Sequence, residues 1–276
     1  MPAKFPVGKV QTVLGPVDPK DLGVTLTHEH LLIDLRGVVP AQPRGAWERQ
    51  IHEAKLSPEN VGWIRHHGMF NLDNYLLEDI DVAIKEALLY KRFGGRTLVD
   101  ATNPDIARDP IGLAGISQET GLHIVMGSGH YVDIAHPAAM AKWTEDDITQ
   151  EIIRDLSEDV DDTGVKAGLI GEIGNSWPLT PNEKKVLRAA GRAQSLTGAP
   201  LLIHPGRDET APLEIIDILK KAGADLTHTI MGHIDRTVFK HTTLEAIAKA
   251  GCYLEWDLFG REVSYYWANL KIDMPH

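Results

Sequence analysis

The chain has 276 residues, 43% of them apolar, and 28 Lys and Arg against 39 Asp and Glu leave a formal charge of −11. This composition supports a large core and excludes a disordered chain, and its acidity argues against nucleic acid or an anionic membrane as partner. The single cysteine, Cys252, excludes an intrachain disulfide and a cysteine-based zinc knot.

The N-terminal residues 1–6 lack the apolar core of a secretory signal, and no apolar run reaches the roughly 20 residues of a membrane helix. A cytoplasmic enzyme is therefore expected. The first strand is Gly23-Val24-Thr25-Leu26, running into Thr27-His28-Glu29-His30. Alternate side chains of a strand share a face, so His28 and His30 point one way and Glu29 the other. Residues 31–78 form a long excursion carrying Trp47 and Trp63, read either as a loop shaping a site or as plain packing.

From residue 79 onward helices and short apolar strands alternate. Ile80, Ile84, Ala87 and Leu88 give a helix over 79–93, stopped by Gly94-Gly95. Strands follow at 96–100, 121–126 and 167–171, the last delivering Glu172. Thr180-Pro181-Asn182-Glu183 is a capping box with proline at the first helical position, opening a helix that runs to Gly198. Further strands at 199–203, 229–231 and 252–256 alternate with helices at 213–222 and 244–250. Seven strands thus end near His30, Asp100, Gly127, Glu172, His204, His233 and Asp257. Such alternation predicts a parallel sheet with right-handed crossovers. With no glycine-rich dinucleotide fingerprint after the first strand, it favours a single (β/α)8 TIM barrel domain over residues 1–276.

In a barrel the C-terminal strand ends meet on one face, which carries the catalytic groups. His28, His30, Glu172, His204 and His233 would converge there, and imidazole with carboxylate suits zinc and similar divalent ions. Taken singly, each reads as structural: a satisfied polar pair, a histidine closing an apolar strand, a salt-bridged glutamate. Four strands each ending in a ligand-type residue favour the metal reading. Arg207 and Arg236 follow closely on His204 and His233, and a guanidinium matches carboxylate or sulfonate oxygens of a small-molecule substrate. The bland alternative is a solvated arginine, or one paired with the adjacent Asp208 or Asp235.

Several stretches are similar to the phosphotriesterase family of the amidohydrolase superfamily: Gln11 to Pro16, Leu26 to His30, Gly171-Glu172-Ile173-Gly174, Ile203 to Arg207, and Gly232 to Thr237. The resemblance runs from about Val10 to Pro275, and the segments 171–180 and 204–207 look most like the phosphotriesterase-related branch. It implies that His28, His30, His204 and His233 hold two zinc ions. Many members bridge the metals with a carbamylated lysine; here Glu172 stands in its motif position. Lys166 shares the strand but lies toward its N-terminal end, so Glu172 is assigned as the bridge. Tyr131 aligns with a family tyrosine near the metals and is assigned, with Arg207 and Arg236, to substrate contact.

The family's remaining ligand is an aspartate ending strand 8, and the chain resembles one that stops before it. Strand 8 and the final helix are therefore expected to be missing, after a helical stretch at 263–270. Asp257 also aligns with a family aspartate that is not a direct ligand. By resemblance the reaction is hydrolysis of the amide of small N-acylated anions, N-acetyltaurine foremost. Lactone or promiscuous phosphotriester hydrolysis is the alternative. A catalytically defective metal-binding fragment or isoform is the reading of another class. A homodimer stays open as the protein partner.

Overall fold

Apolar parallel strands, each closed by glycine or a polar turn, order most of this chain. The structure is a computed structural model that describes residues 6, 8–38, 43–67 and 70–260. An antiparallel hairpin, β1 (Val10–Thr12) and β2 (Gly15–Val17), precedes β3 (Val24–Glu29). The excursion holds β4 (Ile33–Asp34), α1 (Ala46–Glu53), α2 (Val61–His66) and β5 (Leu76–Leu77), with β4 and β5 paired antiparallel. Then come α3 (Ile80–Arg92), β6 (Gly95–Asp100), α4 (Pro110–Thr120), β7 (His123–Met126), α5 (Glu145–Ser157), β8 (Ile170–Gly174) and α6 (Pro181–Thr197). The described chain closes with β9 (Leu201–His204), α7 (Ala211–Lys221), β10 (Thr229–Met231), α8 (Ile234–Thr237), α9 (His241–Ala250) and β11 (Tyr253–Leu254).

The strands form two parallel sheets, β3-β6-β7 and β8-β9-β10-β11. They adjoin where Gly168 N–H donates to Met126 O (2.8 Å) and Gly171 N–H donates to Ser128 O (2.6 Å). This is the α/β architecture that the alternation predicts. Within β7, Ile124 and Met126 join the main core with Ile116, Ile148 and Ile152, while Val125 faces the other way with Ala101, Leu169 and Leu202. The two-residue period of the strands thus separates a layer under the helices from a smaller apolar layer on the opposite face. Among the described residues, β3 pairs only with β6 and β11 only with β10, leaving a seam between β3 and β11.

Two expectations change. The fourth strand is shifted: β8 covers Ile170–Gly174, so Glu172 sits inside it and does not follow its end. The cause is a register irregularity against β9 between Ile170 and Ile173, which carries pairing on to Gly174 and His204. The last described strand is short, Tyr253–Leu254, with Glu255 and Asp257 beyond it. The hairpin β1–β2 had no clear periodic signal; it is anchored to β7 by Val13 N–H donating to Ile124 O (2.8 Å). In the excursion, Trp47 and Trp63 meet edge to face with centroids 5.8 Å apart, so both pack locally. The expected helix at 263–270 and the break before strand 8 lie outside the described residues.

The capping box at α6 does more than start a helix. Glu183 is fully buried; its Oε1 accepts from Ser176 N–H (2.9 Å) and Asp133 N–H (3.1 Å), its Oε2 from Thr180 N–H (2.9 Å) and Ser176 Oγ (2.9 Å). One carboxylate therefore ties the segments after β7 and β8 to a helix start. Glu183→Ala is expected to cost about 3 kcal/mol in urea unfolding, since several charge-assisted bonds vanish and buried N–H groups lose their acceptor. A loss below about 1 kcal/mol would show that water replaces the carboxylate.

Candidate metal centre

The strands bring the four expected histidine ligands around the fifth, the carboxylate of Glu172. Glu172 is 1% exposed. Its Oε2 lies 2.7 Å from His204 Nδ1, 3.1 Å from His28 Nε2 and 3.5 Å from His233 Nε2; its Oε1 lies 3.2 Å from His30 Nε2. His28 lies within β3 and His30 just past it, and their rings are 5.6 Å apart. His204 ends β9. His233 follows β10 in the left-handed region (φ 52°, ψ 36°), which costs a β-carbon residue roughly 1–2 kcal/mol.

Asp257 holds that conformation. Its Oδ2 accepts from His233 N–H (2.9 Å), its Oδ1 sits 2.8 Å from His233 Nδ1, and Oδ2 also lies 3.1 Å from His28 Nδ1. One carboxylate thus faces the Nδ1 atoms of two rings and leaves both Nε2 atoms turned to Glu172, the support that metal-binding histidines require. By resemblance Asp257 is expected not to be a direct ligand; here it holds two ligand-type rings, and His28, His233 and Asp257 also form a compact donor trio. Glu255 was missed by the sequence reading. It is buried, with Oε2 3.3 Å from His28 Nδ1. Its signal was available: two residues before Asp257 on an extended run, it shares that residue's face.

The protonation states of Glu172 and His204 suit ligation, whereas His28 holds a proton that a metal would have to displace. Burial opposes ionisation of Glu172, but the His204 and His28 imidazoles beside it hold its carboxyl well below the usual range. Burial pushes His204 down to about 3, so it stays neutral despite Glu172. Burial also works against His28, yet Glu172, Asp257 and Glu255 together raise it well above the ordinary imidazole value. His28 Nε2 is buried without a hydrogen-bond partner among the described residues, although Glu172 Oε2 is close by. Donor atoms that face one another without bonding are what a shared cation resolves. His28, His30 and Glu172 form one compact donor set, and Glu172, His204 and His233 another, so the residues fit divalent metal.

The remaining candidates divide. Tyr131 packs its ring edge-on to His204, centroids 5.1 Å apart. Arg236 is 1% exposed, and its Nη2 donates to His204 Nε2 (3.0 Å). Asp235 accepts from Leu258 N–H (2.8 Å). Arg207 is exposed in the loop after β9. Lys166 is turned away, its Nζ donating to Ser157 O (2.6 Å). Glu29 takes no part in the donor sets.

A parallel α/β scaffold with His and Glu donors gathered at its strand ends defines the class of metal-dependent hydrolases. The chain belongs to the phosphotriesterase family, whose profile matches residues 8–276. It is 43% identical over 269 residues to an N-acetyltaurine hydrolase of Xenopus tropicalis, covering 97% of this chain and 76% of that one. Its structure is similar to a resiniferatoxin-binding protein from Rhodobacter sphaeroides (TM-score 0.92, 37% identity, 99% of this chain and 76% of that one). It is also similar to a lactonase from Listeria monocytogenes (TM-score 0.72, 26% identity, 92% and 73%). Among the described residues no helix is long and apolar enough to cross a membrane.

Proposed function

We propose that this chain is one barrel domain that binds two divalent metal ions, zinc by donor chemistry, and cleaves the amide of small N-acylated anions such as N-acetyltaurine. The observation that carries the reading is the Glu172 carboxylate faced by four imidazoles, from the ends of β3 and β9 and the left-handed turn after β10. The similarity to N-acetyltaurine hydrolases supports the substrate class. Glu172 would bridge the two positions, with His28 and His30 on one side and His204 and His233 on the other. When bound, such a metal pair lowers the pKa of water toward neutrality and polarises the scissile carbonyl.

The chain's own groups bind and orient. Tyr131, beside His204, would donate a hydrogen bond to the acyl oxygen. Arg236 spends its Nη2 on His204 and thereby supports a ligand ring, which leaves the exposed Arg207 as the better candidate for the anionic tail. Arg207→Ala should raise KM for N-acetyltaurine about tenfold or more, the worth of a charged hydrogen bond, with kcat little changed. The KM for an uncharged N-acyl amide should not move; if both shift alike, Arg207 does not read the anion.

Lactone hydrolysis is the second reading, favoured by the structural similarity to a lactonase. Assaying the zinc-loaded chain on N-acetyltaurine, acyl-homoserine lactones and paraoxon separates these. Turnover confined to lactones would displace the amidase reading. Stoichiometric zinc with no turnover of any would favour a metal-binding fragment.

A further inference from the structure

Outside the metal cluster, a buried polar network lies behind Tyr131. His130 Nδ1 is 3.0 and 3.2 Å from the two oxygens of Asp105, and its Nε2 is 3.3 Å from Glu151 Oε2 on α5. Both ring nitrogens face carboxylates, and only the imidazolium can donate to both at once. Burial works against that charge, but Asp105 and Glu151 prevail and hold the group up at about 9. The other rings around it are His136 (centroids 5.9 Å apart), itself 3.4 Å from Asp133, and Trp143 (5.6 Å).

The network ends on the main chain of Tyr131. Asp105 Oδ2, held by His130, accepts from Tyr131 N–H (2.9 Å). Tyr131 O accepts from His136 Nε2 (2.7 Å), and His130 O accepts from Gly174 N–H (3.0 Å). Gly174 carries no side chain where one would strike the backbone of Tyr131 and Val132. The peptide on each side of Tyr131 is therefore fixed, and with it the ring against His204. Ordering a residue's backbone costs about 1–2 kcal/mol, so a segment bound this way is arranged before any substrate arrives. Asp105, Ile134 and Ala135 also line a cleft of about 680 Å³ together with Asp34, Arg36 and Val38.

We propose that His130, clamped between Asp105 and Glu151, is a positioning residue that fixes Tyr131 for contact with substrate. The inference rests on the role given to Tyr131 above. It is tested on the backbone itself, in full-length protein labelled with 15N-tyrosine, the Tyr131 amide signal being assigned by its loss in Tyr131→Phe. His130→Gln and the milder Glu151→Gln should each reduce hydrogen-exchange protection of the Tyr131 amide about tenfold, with the Tyr90 amide in α3 unchanged and bound zinc unaltered. Equal losses at Tyr90 and Tyr131 would mean general destabilisation and overturn the proposal, as would unchanged protection at Tyr131 in both variants. If His130→Gln fails to fold, Glu151→Gln decides alone. The kinetic arm is separate. A tenfold fall in kcat/KM for N-acetyltaurine should accompany the lost protection. Lost protection with full activity would leave the clamp standing and remove Tyr131 from the substrate site.

Discussion

Replacing Glu172 by glutamine is expected to abolish both metal retention and turnover. The carboxylate is the one group that reaches every histidine of the cluster, and an amide offers one oxygen where two are needed. Losing several kcal/mol of transition-state stabilisation corresponds to about a thousandfold in kcat/KM. Zinc measured after desalting should fall below one equivalent. The metal-free protein should also weaken, by about 3–5 kcal/mol, because a buried partner of the charged His28 is removed. Glu172 titrates below its usual range, so its contribution is present at neutral pH and fades as pH falls through its folded value. Wild-type levels of zinc and activity in Glu172→Gln would reject the site.

Asp257→Asn is the second large effect, and it acts without touching the metals. The aspartate faces Nδ1 of both His28 and His233 and the backbone N–H of His233. Burial opposes its ionisation, but the His233 and His28 imidazoles hold its carboxyl below the ordinary range. An asparagine can accept from one ring only, and its NH2 would face the other donor. Loss of such a support lowers metal affinity about 10–100-fold. If the two rings serve opposite sides of Glu172 as proposed, both metal equivalents should weaken together in a chelator competition. Loss of one equivalent alone would show that Asp257 supports a single position. The left-handed turn at His233 should relax at the same time, visible as faster exchange of its amide.

Much of this was legible in the sequence because parallel strands are short apolar runs and the candidate ligands stand at or near their ends. His28, His30, His204 and His233 stand out since each closes such a run. Glu172 was found too, although a register slip against β9 puts it inside its strand. What stayed hidden depends on distance in the chain. Nothing near His130 foretells Asp105, which is 25 residues away, or Glu151, which is 21 away; only the packing of α5 and the segment after β6 against the segment after β7 creates that network. Glu255 gives no signal of its own beyond the face it shares with Asp257, because it lies inside the run read as the last strand, and only the fold brings it to His28. Arg236 is expected to touch substrate, with a solvated or aspartate-paired arginine as the alternative, yet its short helix turns it inward against His204.

The seam between β3 and β11 has a thermodynamic consequence. His28 and His30 lie on one side of it, and His233 about two hundred residues further along the chain, with Glu172 between. Ions gripped from both sides would act as reversible cross-links closing a very long loop. A covalent closure of that size removes on the order of 5 kcal/mol of unfolded-chain entropy. Metal supply would then set not only whether the site can work but how long the fold survives, and a chelator would behave on this protein as a reductant does on a disulfide-stapled one.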